Sequence, residues 1–168
     1  MSRAFVKEPE GDDVSEDLPE RIHSDEPNYI TPAGDRALRD KLRLLGEERG
    51  CLSKESERLG KNGALQRFDR DIKYLQERLQ RAIIVEQSPA SLDQVRFGTS
   101  VSLLDESGVE YNFTIVGEDE TDLDEGKISW TSALGRNLLQ GKLDHTVIWQ
   151  RPAGDLQLEI AAIYYKPE

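Results

Sequence analysis

The chain has 168 residues, 36% of them hydrophobic and 33% charged, with a net charge of −11. That length allows one ordinary core, or a small core with an extension, and no apolar run approaches the roughly 20 residues of a membrane-spanning helix. Cys51 is the only cysteine, so an internal disulfide is impossible. With no basic start followed by an apolar stretch, the expected setting is a reducing cytoplasm, with no membrane partner.

The charge is unevenly spread. Residues 1–28 carry 9 acids and 3 bases, residues 29–86 carry 10 acids and 13 bases, and residues 87–168 carry 14 acids and 6 bases. A basic middle is thus flanked by acidic ends. The acidic body disfavours general binding to free nucleic acid, whereas the basic middle can approach RNA, DNA or an acidic protein groove.

Residues 1–28 read as an acidic disordered tail, with Pro9, Pro19 and Pro27 and no apolar period. Residues 29–86 read as an antiparallel coiled-coil hairpin. Thr31 is the expected N-cap and Pro32 the first helical residue. Leu38, Leu42, Leu45, Leu52 and Leu59 repeat at steps of four and three, with Arg49 and Ser56 in the two missing seam positions. Leu65, Phe68, Ile72, Leu75, Leu79 and Ala82 continue the rhythm in the second arm. The arms are expected at about 32–59 and 64–86, with the tip at 60–63, where Gly60-Lys61-Asn62-Gly63 permits reversal. Residues 87–91 (Gln87-Ser88-Pro89-Ala90-Ser91) read as a linker.

From Leu92 the period becomes two. Val101 and Leu103 alternate, Glu106-Ser107-Gly108 signals a hairpin turn, and Tyr111, Phe113 and Ile115 alternate again. Residues 118–125 read as a solvated acidic loop. Ile128 and Trp130 begin a strand, and Ser132 caps one short helix that Gly141 ends. Val147 and Trp149 mark the next strand, and 156–165 the last. Residues 92–168 thus form a small β-rich domain with one helix, making the whole chain α+β.

The sequence contains no glycine-rich phosphate loop, no Cys/His metal spacing and no Gly-x-Ser-x-Gly elbow. His23 and His145 have no nucleophile at a useful spacing, and Cys51 has nothing beside it that would activate a thiol. No catalytic residue and no metal ligand is assigned.

Several motifs resemble one family in order. Tyr29-Ile30-Thr31-Pro32-x-Gly34 is similar to the start of the bacterial GreA/GreB transcription elongation factors. Val95-x-Phe97-Gly98-x-x-Val101, Thr114-Ile115-Val116-Gly117-Glu118-Asp119-Glu120, Gly126-Lys127-Ile128-Ser129, Ser132-x-Leu134-Gly135-Arg136-x-Leu138-Leu139 and Pro152-x-Gly154 resemble their C-terminal domain. The resemblance covers roughly residues 29–165; the acidic tail has no counterpart in the usual members. It implies an FKBP-like C-terminal domain that docks on core RNA polymerase, with Thr131, Ser132, Ala133, Leu134, Gly135 and Arg136 as the docking segment. It further implies a monomeric factor whose hairpin enters the secondary channel, where it can meet nascent RNA or DNA. Two acidic tip residues of the family help hold a Mg²⁺ ion that belongs to the polymerase.

The tip departs from that pattern. Gly50-Cys51-Leu52-Ser53-Lys54-Glu55-Ser56-Glu57-Arg58 is similar to the family's tip, but Cys51 replaces its Asp and Lys54 its Glu, and neither is a hard-cation ligand. The hairpin is also shorter by about two heptads, about 10 Å of rod. The expected tip is therefore Lys54, Glu55, Glu57, Arg58, Gly60, Lys61, Asn62 and Gly63, without a recognisable acidic pair, and a rearranged pair drawn from Glu55, Glu57 and Asp69 stays open. Ala133 stands where the family usually has Pro. Two other readings stay open: a coiled-coil interaction module without a polymerase role, and an FKBP-like prolyl isomerase.

Overall fold

A computed structural model describes residue 19 and residues 21–59, 63–86 and 92–166, with the side chains of 55–59 and 63–64 outside the description. The expected linker at 87–91, most of the acidic tail and tip residues 60–62 therefore lie outside the described residues.

The hairpin is two antiparallel helices, α1 (Pro32–Leu59) and α2 (Gly63–Gln80). Thr31 caps α1 as its sequence predicts: its hydroxyl accepts the Gly34 N–H at 3.0 Å. The seam packs most tightly at its base, where Leu38 and Leu75 are buried against Ile30, with Leu42, Leu45, Tyr74, Leu79 and Ala82 around them. Farther out, Leu52, Leu65, Phe68 and Ile72 are only half-buried, because two helices alone leave each seam residue one face of cover.

The second arm is shorter than the seam pattern predicts. Helix α2 stops at Gln80 rather than continuing to residue 86. After one turn, the β-branched pair Ile83–Ile84 forms strand β2, which pairs in parallel with β1 (Tyr29–Ile30). The Ile83 N–H donates to the Asn28 carbonyl at 2.8 Å, and the Val85 N–H to that of Ile30 at 2.9 Å. Branched Cβ atoms favour extended backbone, and here a partner strand was available to take it. The chain entering the hairpin is thereby tied to the chain leaving it.

The stretch 21–28 also differs from the expected disorder. Asn28 is buried, and its amide donates to the Arg78 carbonyl at 2.8 Å. His23 stacks on Tyr74 at 4.9 Å and bonds Glu77 at 2.6 Å. Aromatic stacking and ion pairs to residues distant in sequence supply contacts that hydropathy does not register.

The C-terminal part is a five-stranded sheet in the order β5-β4-β3-β7-β6, comprising β3 (Ser100–Asp105), β4 (Glu110–Val116), β5 (Lys127–Ser129), β6 (Thr146–Trp149) and β7 (Leu156–Tyr164). Only β4 and β5 pair in parallel; the 3₁₀ turn Glu118–Glu120 lies on the crossover between them. A bulge shifts the β3–β7 register between Ser102 and Leu103 and re-aims the alternation. The short helix α3 (Ala133–Leu138) is capped by Ser132. The core joins Val95, Val101, Leu103, Ile115, Leu138, Leu158 and Ile160, all fully buried. Trp130 and Trp149 pack at its margin.

The β3–β4 turn is held by Asp105, whose carboxylate accepts the Ser107 hydroxyl at 2.6 Å and the Ser107 and Val109 N–H groups at 2.9 Å each. Gly108 completes the turn at φ 83°. These bonds, led by that of Ser107, hold the Asp105 carboxyl below its ordinary range. A depressed folded value means the turn's contribution is intact above the unfolded Asp value and is lost as pH falls through the folded one. NMR titration is expected to place the Asp105 carboxyl below the ordinary Asp value, and Ser107→Ala to raise it. Leu158→Ala in the core is expected to cost about 2–5 kcal/mol, against less than about 0.5 kcal/mol for Leu44→Ala on the exposed hairpin face, both read from denaturant midpoints.

Candidate functional site

The acidic loop after β4 is solvated over residues 121–125, as expected, but its first three residues are not. They are the joint between the hairpin and the β domain. Arg78, on the last turn of α2, is 2% exposed. Its Nε donates to Asp119 Oδ2 at 2.6 Å and its Nη2 to Glu118 Oε2 at 3.3 Å. The next acid, Glu120, turns toward α1: Oε2 accepts the Thr31 N–H and the Gly117 N–H at 3.0 Å each, and the Thr31 hydroxyl donates to Oε1. Three consecutive carboxylates thus grip both arms of the hairpin.

Two glycines make that approach possible. A Cβ on Gly34 would lie 2.2 Å from Glu120 Cδ, and one on Gly117 would lie 2.3 Å from the Tyr29 carbonyl oxygen. Gly34 costs α1 about 1 kcal/mol in helix propensity, and the space it leaves is filled by Glu120. Tyr29 closes the joint, its ring against Trp130 at 5.2 Å and Phe97 at 6.0 Å.

The docking segment named by the resemblance adjoins this joint. The Thr131 hydroxyl donates to Glu118 Oε1 at 3.2 Å, so Glu118 reaches both Thr131 and Arg78. Ser132 Oγ donates to the Ser129 carbonyl at 2.6 Å and accepts the Gly135 N–H at 3.0 Å. Leu134 and Gly135 are buried, and a Cβ on Gly135 would sit 2.2 Å from the Ser129 carbonyl oxygen. These two shape α3 from inside. The surface of the segment is made by Ala133 and Arg136, with Thr131 partly exposed. Arg136 is already paired with Glu26 at 2.6 Å, a contact across 110 residues that no local pattern announces.

At the hairpin's outer half the described side chains are fewer. Lys54 and Cys51 are exposed. The backbones of Glu55, Glu57 and Arg58 belong to α1 and Gly63 opens α2, whereas Gly60, Lys61 and Asn62 lie outside the described residues. Asp69 is a bidentate partner of Arg49 across the hairpin, so its carboxylate is occupied. No helix among the described residues is long and apolar enough to cross a membrane.

The joint can be tested directly. Arg78→Met keeps the apolar stem and removes the guanidinium, leaving two partly exposed acids facing each other. The expected cost is about 3 kcal/mol, the lower end for breaking a buried pair. Hydrogen exchange at Ile83 and Val85 is expected to accelerate about a hundredfold, since each 1.4 kcal/mol is tenfold, while Val101 and Leu103 in the sheet stay protected.

Comparison with known proteins gives this geometry a family. Residues 89–165 match the model of the transcription elongation factor GreA/GreB C-terminal domain. GreB of Neisseria meningitidis serogroup B is 36% identical over 153 residues, covering 82% of this chain and 94% of that protein. GreA of Trichlorobacter lovleyi is 36% identical over 152 residues, covering 82% and 96%. Among solved structures, a GreA/GreB factor from Nitrosomonas europaea is similar over 82% of this chain and 98% of its own, with 22% identity and a TM-score of 0.42. The chain belongs to the GreA/GreB family of transcription elongation factors.

Proposed function

We propose that this protein is an elongation factor that binds core RNA polymerase through the face around α3 and presents its hairpin to the secondary channel as a single copy. It modulates elongation or backtracked complexes without stimulating transcript cleavage and without being an enzyme itself. The observation that carries this reading is the shared carboxylate of Glu118, which holds Thr131 of the docking segment and Arg78 at the hairpin base. A factor docked at one end of that linkage has its rod aimed by the other.

Among the described hairpin side chains, none supports a metal-ligand pair. Cys51 and Lys54 stand at the positions where the resemblance places acids, and Asp69 is committed to Arg49. A thiol and an ammonium are poor partners for a hard cation that takes oxygen ligands. Any Mg²⁺ in the complex is therefore read as the polymerase's own, with no cofactor assigned to this chain. Lys54 and Arg67 are exposed cations that the rod would bring toward nascent RNA or DNA.

Binding to core polymerase, measured with a fluorescent label on the factor, is expected to weaken at least about tenfold in Ala133→Glu/Arg136→Glu, equivalent to about 1.4 kcal/mol or more. Backtracked complexes are expected to cleave their RNA at the same rate with and without the factor. Failure of the unmodified protein to bind would overturn the proposal. Faster cleavage would overturn the account of the tip.

A further inference from the structure

The stretch 21–28 leaves the joint in a definite direction. Asn28 lies against Arg78, His23 against Glu77 and Tyr74, and Arg21 against Asp71 and the Tyr74 ring. Read backwards from Asn28, the chain climbs one face of α2 away from its base and toward the tip. Twenty residues precede Arg21.

The helical period puts two arginines next on that face. Positions 67, 70, 71, 74, 77 and 78 recur at steps of three and four, so Arg67 and Arg70 continue the track. Arg70 donates to Asp71 at 3.2 Å, and Asp71 also pairs with Arg21 at 3.4 Å. The arm thus passes directly beside Arg70. Arg67 is exposed one turn farther on, with no ion-pair partner among the described residues. In sequence, the chain before Arg21 carries Glu8, Glu10, Asp12, Asp13, Glu16, Asp17 and Glu20, with no base between residues 8 and 20.

We propose that residues 8–20 dock on this face of α2 as an acidic arm that covers Arg67 and Arg70. Reach is not limiting. From Asp71 to Gly63 the helix rises only about 12 Å, and thirteen extended residues span up to about 45 Å. Arg67 is exposed and Arg70 is half-buried and shared with Asp71, so the attraction is held loosely and weakens with salt. The arm thereby shields the hairpin's positive charge from polyanions until a stronger partner displaces it. This goes beyond the polymerase reading, and its test uses the isolated chain, so either can fail alone.

The native thiol supplies the probe. The Arg49–Asp69 pair sets the level of the two arms, which places exposed Cys51 opposite Arg67. A nitroxide on Cys51 is expected to attenuate the amide signals of residues 8–20 about twofold or more at low salt. Recovery is expected in about 1 M salt, where the screening length is about 3 Å, and in Arg67→Glu/Arg70→Glu. Signals of 100–116 in the sheet report that the variant is folded. The full-length variant E16Q/D17N/E20Q is expected to elute from heparin at higher salt than the unmodified protein. Absence of attenuation would overturn the proposal, as would attenuation indifferent to salt and to the arginine changes, or unchanged heparin elution. Attenuation found only between spin-labelled and isotope-labelled copies in a mixed sample would assign the face to a second molecule, and would overturn it too.

Discussion

The structure depends on where the guanidinium of Arg78 is placed. It is buried beneath the last turn of α2, with Glu118 and Asp119 as its partners. A buried ion pair is weak evidence for stability, because desolvating the charges offsets much of their attraction. Apolar side chains replacing the guanidinium and both carboxylates together would fill that space about as well. What an apolar side chain lacks is direction: a planar donor fork accepts carboxylates only along its edges. The joint therefore fixes an angle more than it adds free energy, and an angle is what a long rod on a small domain needs.

The same constraint explains residues that look unfavourable by themselves. Gly34 in the first turn of a helix and Gly117 at the end of a strand both weaken their elements. Each lacks a Cβ because another group occupies that volume, Glu120 in one case and the Tyr29 carbonyl in the other. Thr31 is likewise more than a cap. Its hydroxyl accepts from Gly34 and donates to Glu120, so the start of the hairpin and its attachment are one hydrogen-bonded unit. The parallel β1–β2 pair encloses that unit on its other side.

Much of this was legible in order but not in contact. The period of 3.5 locates α1 and the seam, and the period of two locates β3, β4 and the turn at Gly108, because both depend on residues close in sequence. The end of α2 was misread because Ala82 continues the seam rhythm. The signal against it was the branched run Ile83-Ile84-Val85, whose preference is expressed only because Tyr29–Ile30 lies alongside. The acidic loop was read as solvated throughout because composition cannot say which carboxylates meet an arginine forty residues away. His23, Glu26 and Arg21 were assigned to disorder for the same reason. Their partners Tyr74, Arg136 and Asp71 are distant in sequence, and polar packing carries no hydropathy period.

The charge asymmetry of the chain acquires a structural division at this point. The acids of the β domain nearest the hairpin are engaged in holding it, and Asp69 and Asp71 on the rod are matched by Arg49, Arg21 and Arg70. Among the described residues of the outer hairpin, Lys54 and Arg67 stand exposed without an ion-pair partner, as does Glu48. Where the resemblance implies an acidic pair at the tip, the described outer hairpin thus shows charge of both signs. Seven carboxylates precede Arg21 in residues 8–20, on a chain directed along that same rod. On the proposed docking of residues 8–20, both ends of the asymmetry meet on one helix face, and the consequence is local: it sets how much positive charge the hairpin shows to whatever it enters.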